Sequence, residues 1–210
     1  MSKSMPLGRA ACVALMVLVC GCSHEQPNPP PAPAPPTAAA SPQETVAMAA
    51  PRIPAVGTAA PNFTLASNRG GQTSLSDYRG QIVVLYFYPK AFTPGCTTEA
   101  CAFRDALADY EKAHIAVLGI SPDPLDAVVK FGNTYHLNFP LLADNDHEVS
   151  AAYGVWQPKS MYGKSFMGVA RTTFVIDKDG TILHVFAKVK PLGHDQEVLG
   201  WLKANGKVPS

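Results

Sequence analysis

Seven consecutive residues, Ile82-Val83-Val84-Leu85-Tyr86-Phe87-Tyr88, are all apolar or aromatic, and no other run limits the possible folds of this chain as tightly. β-Branched and aromatic residues without a polar interruption read as a buried strand. After a short loop, positions 97–112 take up helical spacing. Ala100, Phe103, Leu107 and Tyr110 share one face there, and Arg104, Asp105, Asp109 and Lys112 fall on the others. A strand followed directly by a helix makes the end of the loop a helix N-terminus, and Cys96 lies on that first turn. Unpaired backbone N–H groups and the positive end of the helix dipole favour an anion, which for cysteine is the nucleophilic thiolate. A second thiol, Cys101, follows five positions later.

Beyond this unit, the pattern predicts strands near 63–66, 115–120, 140–143, 172–177 and 181–187. Helices are expected at 123–136, 146–152 and 194–203, and Asp177-Lys178-Asp179-Gly180 forms a hairpin turn. Alternating strands and helices closed by an antiparallel pair specify an α/β fold, with a central mixed β-sheet flanked by helices. The stretch 53–210 is long enough to bury a core without disulfide staples. Trp156 and Trp201 read first as packing residues. With 17 basic against 16 acidic residues the chain carries no strong field, so nucleic acid is not expected as a partner.

The N-terminal quarter follows different rules. Lys3 and Arg9 precede an apolar stretch at 10–19, too short to span a bilayer, and Gly21-Cys22 closes it, so segment 1–22 reads as an export signal. Gly21 before Cys22 resembles a bacterial lipobox, which makes Cys22 the expected acylated residue. The alternative is cleavage without lipid, or an uncleaved anchor. Cys12 and Cys20 lie inside the signal and are assigned no chemistry. Residues 23–52 are rich in proline and alanine, a composition that cannot bury enough surface to fold and tends toward extended polyproline geometry. The expectation is a tether that holds domain 53–210 away from a membrane on its periplasmic side. Ser23 points toward the outer membrane.

Residues 89–96 have the form Pro-x-x-x-Thr-x-x-Cys, and Cys101 adds a second thiol at a set distance. This resembles the peroxiredoxin signature, in the Q-type branch also called bacterioferritin comigratory proteins. Further blocks extend the resemblance: Gly57-x-x-Ala60-Pro61-x-Phe63, Leu75-Ser76-Asp77-Tyr78-Arg79-Gly80, Tyr153-Gly154-Val155-Trp156 and Arg171-Thr172-Thr173-Phe174-Val175-Ile176-Asp177. It covers the chain from about residue 53 onward and nothing before. The resemblance implies a thioredoxin-like fold, hydroperoxide substrates, a monomer, no cofactor, and a thioredoxin-like or glutaredoxin-like reductant.

It also implies roles. Cys96 is the peroxidatic cysteine and Cys101 the resolving one. Thr93 holds peroxide and thiolate through its hydroxyl, Arg171 donates from its guanidinium, Pro89 shapes and shields the loop, and Glu99 orients the arginine. Each has a plainer alternative: Thr93 as a turn former, Glu99 as an ordinary first-turn acid, Arg171 as a solvated charge. Oxidation leaves a sulfenic acid on Cys96, which condenses with a thiol. Five helical residues rise about 7.5 Å, whereas a disulfide needs Cα atoms within about 7 Å. The first turn is therefore expected to unwind before Cys96 reaches Cys101. A permanent bridge across so short a loop would add little stability.

Two other functions compete. A thiol-disulfide oxidoreductase shares fold and export, but its usual Cys-x-x-Cys is absent. A thioredoxin-like copper-delivery protein would use two cysteines and a histidine. His114, His136, His147, His184 and His194 show no ligand spacing, and no metal site is expected.

Overall fold

The computed structural model describes residues 52–161 and 163–208. The expected signal 1–22 with Cys22, and the tether 23–52 except Arg52, lie outside the described residues. The apolar run becomes strand β3 (Ile82–Phe87), buried along its whole length. Its neighbours build a seven-stranded sheet from β1 (Thr64–Ser67), β2 (Gln72–Ser74), β4 (Ile115–Ser121), β5 (Leu141–Ala143), β8 (Thr172–Ile176) and β9 (Ile182–Ala187). The order is β2-β1-β5-β4-β3-β8-β9. β3, β4 and β5 run parallel, while β1, β2, β8 and β9 pair antiparallel with their neighbours, so the sheet is mixed as expected.

Period-two alternation divides β3 between two cores. Ile82, Val84 and Tyr86 face α1 (Pro94–Lys112), α2 (Leu125–Thr134) and α4 (His194–Ala204), and there they meet Phe103, Phe131, Val198 and Leu202. Val83, Leu85 and Phe87 face the opposite layer with Phe63, Tyr153, Val155 and Phe174, beside the short helix α3 (Glu148–Ala152). Each fully buried apolar side chain contributes about 1.5–3 kcal/mol. Gly119 on β4 is a necessary gap in this packing, because a Cβ there would come within 2.7 Å of the Tyr86 hydroxyl.

The structure departs from the expected elements in two ways. Helix α1 begins at Pro94 rather than 97, because proline has its helical φ built in and lacks only a donor that the first turn would leave unpaired. A separate two-stranded ribbon, β6 (Trp156–Met161) with β7 (Lys164–Val169), was not anticipated, nor was β2. The stretch Gln157-Pro158-Lys159-Ser160 carries neither apolar alternation nor β-branched residues, so nothing in it signals a strand. The other boundaries agree within about two residues, the usual latitude at element ends.

Candidate active site

Pairing of β3 with β4 runs one residue past the strand, as the Tyr88 N–H donates to the Ile120 carbonyl at 3.0 Å. Pro89, half-buried, has no N–H and ends the ladder. The chain then turns through Phe92, which adopts a left-handed φ of 62°. Thr93, extended at φ −79° and ψ 147°, caps the helix. Its hydroxyl donates to the Lys90 carbonyl at 2.9 Å and so braces the loop. The Thr97 N–H donates to the Thr93 carbonyl at 2.9 Å, closing the first turn around Cys96.

Cys96 is buried, with 1% of its surface exposed. Arg171 reaches it from across the sheet: Phe87 pairs with Thr172, so the residue before β8 lies beside the end of β3. Arg171 Nη2 donates to Cys96 Sγ at 3.2 Å, and Nη1 donates to Glu99 Oε2. One guanidinium thus binds both sulfur and carboxylate. Glu99 stands almost one turn beyond Cys96 and is 0% exposed, which excludes a solvated first-turn acid. Burial pushes its carboxyl up to about 7, with Arg171 opposing that rise. Burial likewise works against the charge on Arg171, yet Glu99 and Cys96 hold its pKa above the ordinary value.

Several polar atoms beneath this site have no hydrogen-bond partner among the described residues: Glu99 Oε1, Thr97 Oγ1 and the hydroxyls of Tyr86 and Tyr88. Burial raises both phenols, so they stay neutral. Cys101 is half-buried and its thiol, like that of Cys96, is free. Both lie in an unbroken α1, so their separation along the axis is that of five helical residues.

Lys159, in a polar stretch with no motif, also reaches toward this region. Its side chain lies across Gly168, where a Cβ would sit 3.4 Å from Lys159 Cδ, and its ammonium donates to the Val169 carbonyl, two positions before Arg171. Burial lowers its pKa first and repulsion from Arg171 next, while Cys96 favours its charge. A lone lysine in a polar stretch gives no sequence signal for such a place. His194 is a satisfied core histidine, its ring nitrogens 2.8 Å from Glu197 Oε2 and from Thr173 Oγ1. Trp156 stacks on His147 and Trp201 on His184. No cluster of ligating side chains that could hold a metal occurs among the described residues. A cleft of about 330 Å³ between Arg69, Glu111, His114 and Asn138 includes neither cysteine.

A buried cysteine on a helix's first turn, bound by a guanidinium at the end of an interior strand of a mixed sheet of thioredoxin-like form, defines a thiol redox protein. Comparison with known proteins narrows that class. The AhpC/TSA family matches residues 56–185. Peroxiredoxin Bcp of Escherichia coli K12 is 48% identical over 147 residues, 70% of this chain and 94% of that protein. A putative peroxiredoxin bcp of Coxiella burnetii is 50% identical over 147 residues, 70% of this chain and 97% of its own. Among solved structures, a Xylella fastidiosa PrxQ mutant superposes with a TM-score of 0.69 at 35% identity, covering 72% of this chain and 97% of that one. A Xanthomonas campestris bacterioferritin comigratory protein, studied for its alkyl peroxide reduction activity, gives 0.65 at 38% identity over 68% and 91%. The chain belongs to the peroxiredoxin family, in its Q/Bcp branch, whose members are thiol peroxidases.

Proposed function

We propose that Cys96 is the peroxidatic sulfur of a hydroperoxide reductase and Cys101 its resolving partner. The observation that carries this reading is the 3.2 Å hydrogen bond from Arg171 Nη2 to Cys96 Sγ, which favours an anionic sulfur and leaves a cation beside the reacting oxygens. The Cys96 thiolate attacks the terminal oxygen of ROOH. The S–O bond forms as O–O breaks, giving the sulfenic acid, and the alkoxide or hydroxide takes a proton to leave as ROH or water. Arg171 stabilises the charge that develops in this step, with Glu99 setting its orientation. Thr93 and Pro89 shape the loop over the sulfur.

Cys101 then attacks the sulfenic sulfur and releases water as the disulfide forms. A thioredoxin-like or glutaredoxin-like dithiol returns two electrons and two protons to restore both thiols. Hydrogen peroxide and organic hydroperoxides are both substrates. Phe92, 40% exposed on the active-site loop, supplies apolar surface for the latter. The protein acts as a monomer, and segment 1–22 exports it as a lipoprotein anchored through Cys22 and facing the periplasm.

A donor-coupled hydroperoxide assay with mass spectrometry tests the chemistry. Wild type should lose two hydrogens in one internal link, Cys101→Ser should accumulate sulfenic and higher oxides, and Cys96→Ser should be inert. Peroxidase activity retained in Cys96→Ser, or stoichiometric copper without activity in wild type, refutes the reading. For the anchor, labelled palmitate should enter wild type and be lost in Cys22→Ser; label that persists in that variant ends the assignment.

A further inference from the structure

The loop at 89–93 holds a strained shape that its one internal brace, from the Thr93 hydroxyl to the Lys90 carbonyl, does not account for alone. Phe92 is a bulky, non-glycine residue at φ 62°, a left-handed conformation that works against its Cβ. Two contacts with elements outside the loop oppose its relaxation. Asp123, in the turn between β4 and α2, accepts the Ala91 N–H on Oδ2 at 2.7 Å. The same oxygen accepts the Ser121 hydroxyl at 2.9 Å, and Ser121 Oγ accepts the Asp123 N–H at 3.2 Å, so the carboxylate is itself fixed to the end of β4. Ser121 is fully buried and Asp123 half-buried, so the carboxylate is tied back to a buried residue at the end of a central strand. The second contact is made by Phe131 on α2 and Tyr135 at its C-cap, against which the Phe92 ring packs edge-on at 5.2 Å and alongside at 6.0 Å.

We infer that Asp123 is a positioning residue for the peroxidatic cysteine, and that with the Phe92 clamp it latches the reactive form of the loop against the opening that disulfide formation needs. Neither group hydrogen-bonds the sulfur, whose partner is Arg171. Both act through Thr93, which directly follows Phe92, caps α1 and carries the carbonyl that closes the turn around Cys96. While the latch holds, Cys96 stays under Arg171 and the peroxide step is fast. For Cys96 to approach Cys101 the first turn must come apart, and the loop before it must shift. The latch therefore favours the first chemical step and opposes the second. This inference rests on the roles proposed above for Cys96 and Cys101.

Stopped-flow measurement of the two steps, sulfenic acid formation and then disulfide formation, separates this role from a merely structural one. Asp123→Ala should slow Cys96 oxidation by hydrogen peroxide about tenfold, the worth of one hydrogen bond to a charged group. It should speed disulfide formation severalfold. Asp123→Asn, which keeps an acceptor for the Ala91 N–H, should recover most of the first rate. Phe92→Ala should shift both steps in the same opposed directions, and it carries the test if Asp123→Ala does not fold. Unchanged rates in both variants, or a parallel slowing of both steps, would overturn the latch. Wild type that cycles normally beside such variants leaves the proposed function standing, whereas inert wild type removes that function and the latch with it.

Discussion

Replacing Glu99 with glutamine keeps the side chain's shape and an acceptor for Arg171 but removes an ionisable proton, so its clearest effect is on how stability varies with pH. Burial raises this carboxyl from an ordinary 4.5 to about 7 in the folded chain, against the opposing pull of Arg171. Between those values the folded state keeps a proton that the unfolded chain has released, so rising pH favours unfolding. The contribution is complete below about 4.5, declines as pH rises, and is gone above about 7. At about 1.4 kcal/mol for each tenfold change in proton activity, the span from 4.5 to about 7 amounts to about 3 kcal/mol. Urea denaturation of the reduced wild type and Glu99→Gln, from about pH 4.5 to about pH 8, measures it. The stability of wild type minus that of the variant should fall by about 3 kcal/mol across that range. His194, whose imidazole burial holds below its ordinary value, adds stability with rising pH, but it does so in both proteins and cancels in the difference. Parallel curves across the whole range would refute a proton held on the buried carboxyl.

Three further outcomes are expected. Arg171→Lys keeps a charge but loses the planar fork that reaches Cys96 and Glu99 together, so the peroxide step should slow about a hundredfold in stopped-flow fluorescence; a wild-type rate would count against the guanidinium. Gly95→Ala places a Cβ 3.2 Å from Pro191 Cγ and 3.4 Å from Arg171 Nη2. It should cost about tenfold in peroxide reactivity, as displacement of a positioned group does, with little change in melting temperature, and equal reactivity would show that the guanidinium accommodates it freely. Thr97→Ala with Thr98→Ala removes two weak helix formers, one of them bonded back to the Pro94 carbonyl at 3.0 Å. First-turn opening should become harder by about 1 kcal/mol, slowing disulfide formation about fivefold while peroxide attack is unaffected; unchanged disulfide kinetics would dismiss the unwinding step.

The parts that could be read from sequence are those written in local pattern. The run 82–88 announces a buried strand, and the spacing of Ala100, Phe103, Leu107 and Tyr110 assigns the buried face of α1 correctly. The helix start was readable too, with Thr93 in a capping position and Pro94 at the first helical place, but apolar periodicity begins only beyond them. Glu99 shows the limit of such reading. Its composition is that of a surface acid, and only the approach of Arg171 from β8 turns that position into a buried pair. Asp123 was invisible for the same reason: it acts on a backbone group 32 residues away, through a hydrogen bond that exists only once separate elements have docked, while Lys159 reaches the Val169 carbonyl across a hairpin that its sequence does not announce. Strands β6 and β7 pair with each other and not with the main sheet, so the alternation that marks a half-buried sheet strand was never imposed on them.

The bond between Arg171 and Cys96 joins positions 75 residues apart in the chain. Synthesis delivers the sulfur long before the guanidinium, and the two meet only when β8 has closed against β3. A growing or truncated polypeptide that stops short of β8 therefore lacks the guanidinium that binds this sulfur. The site is assembled only late in folding, so a sulfur held by Arg171 marks a chain in which β8 has already docked.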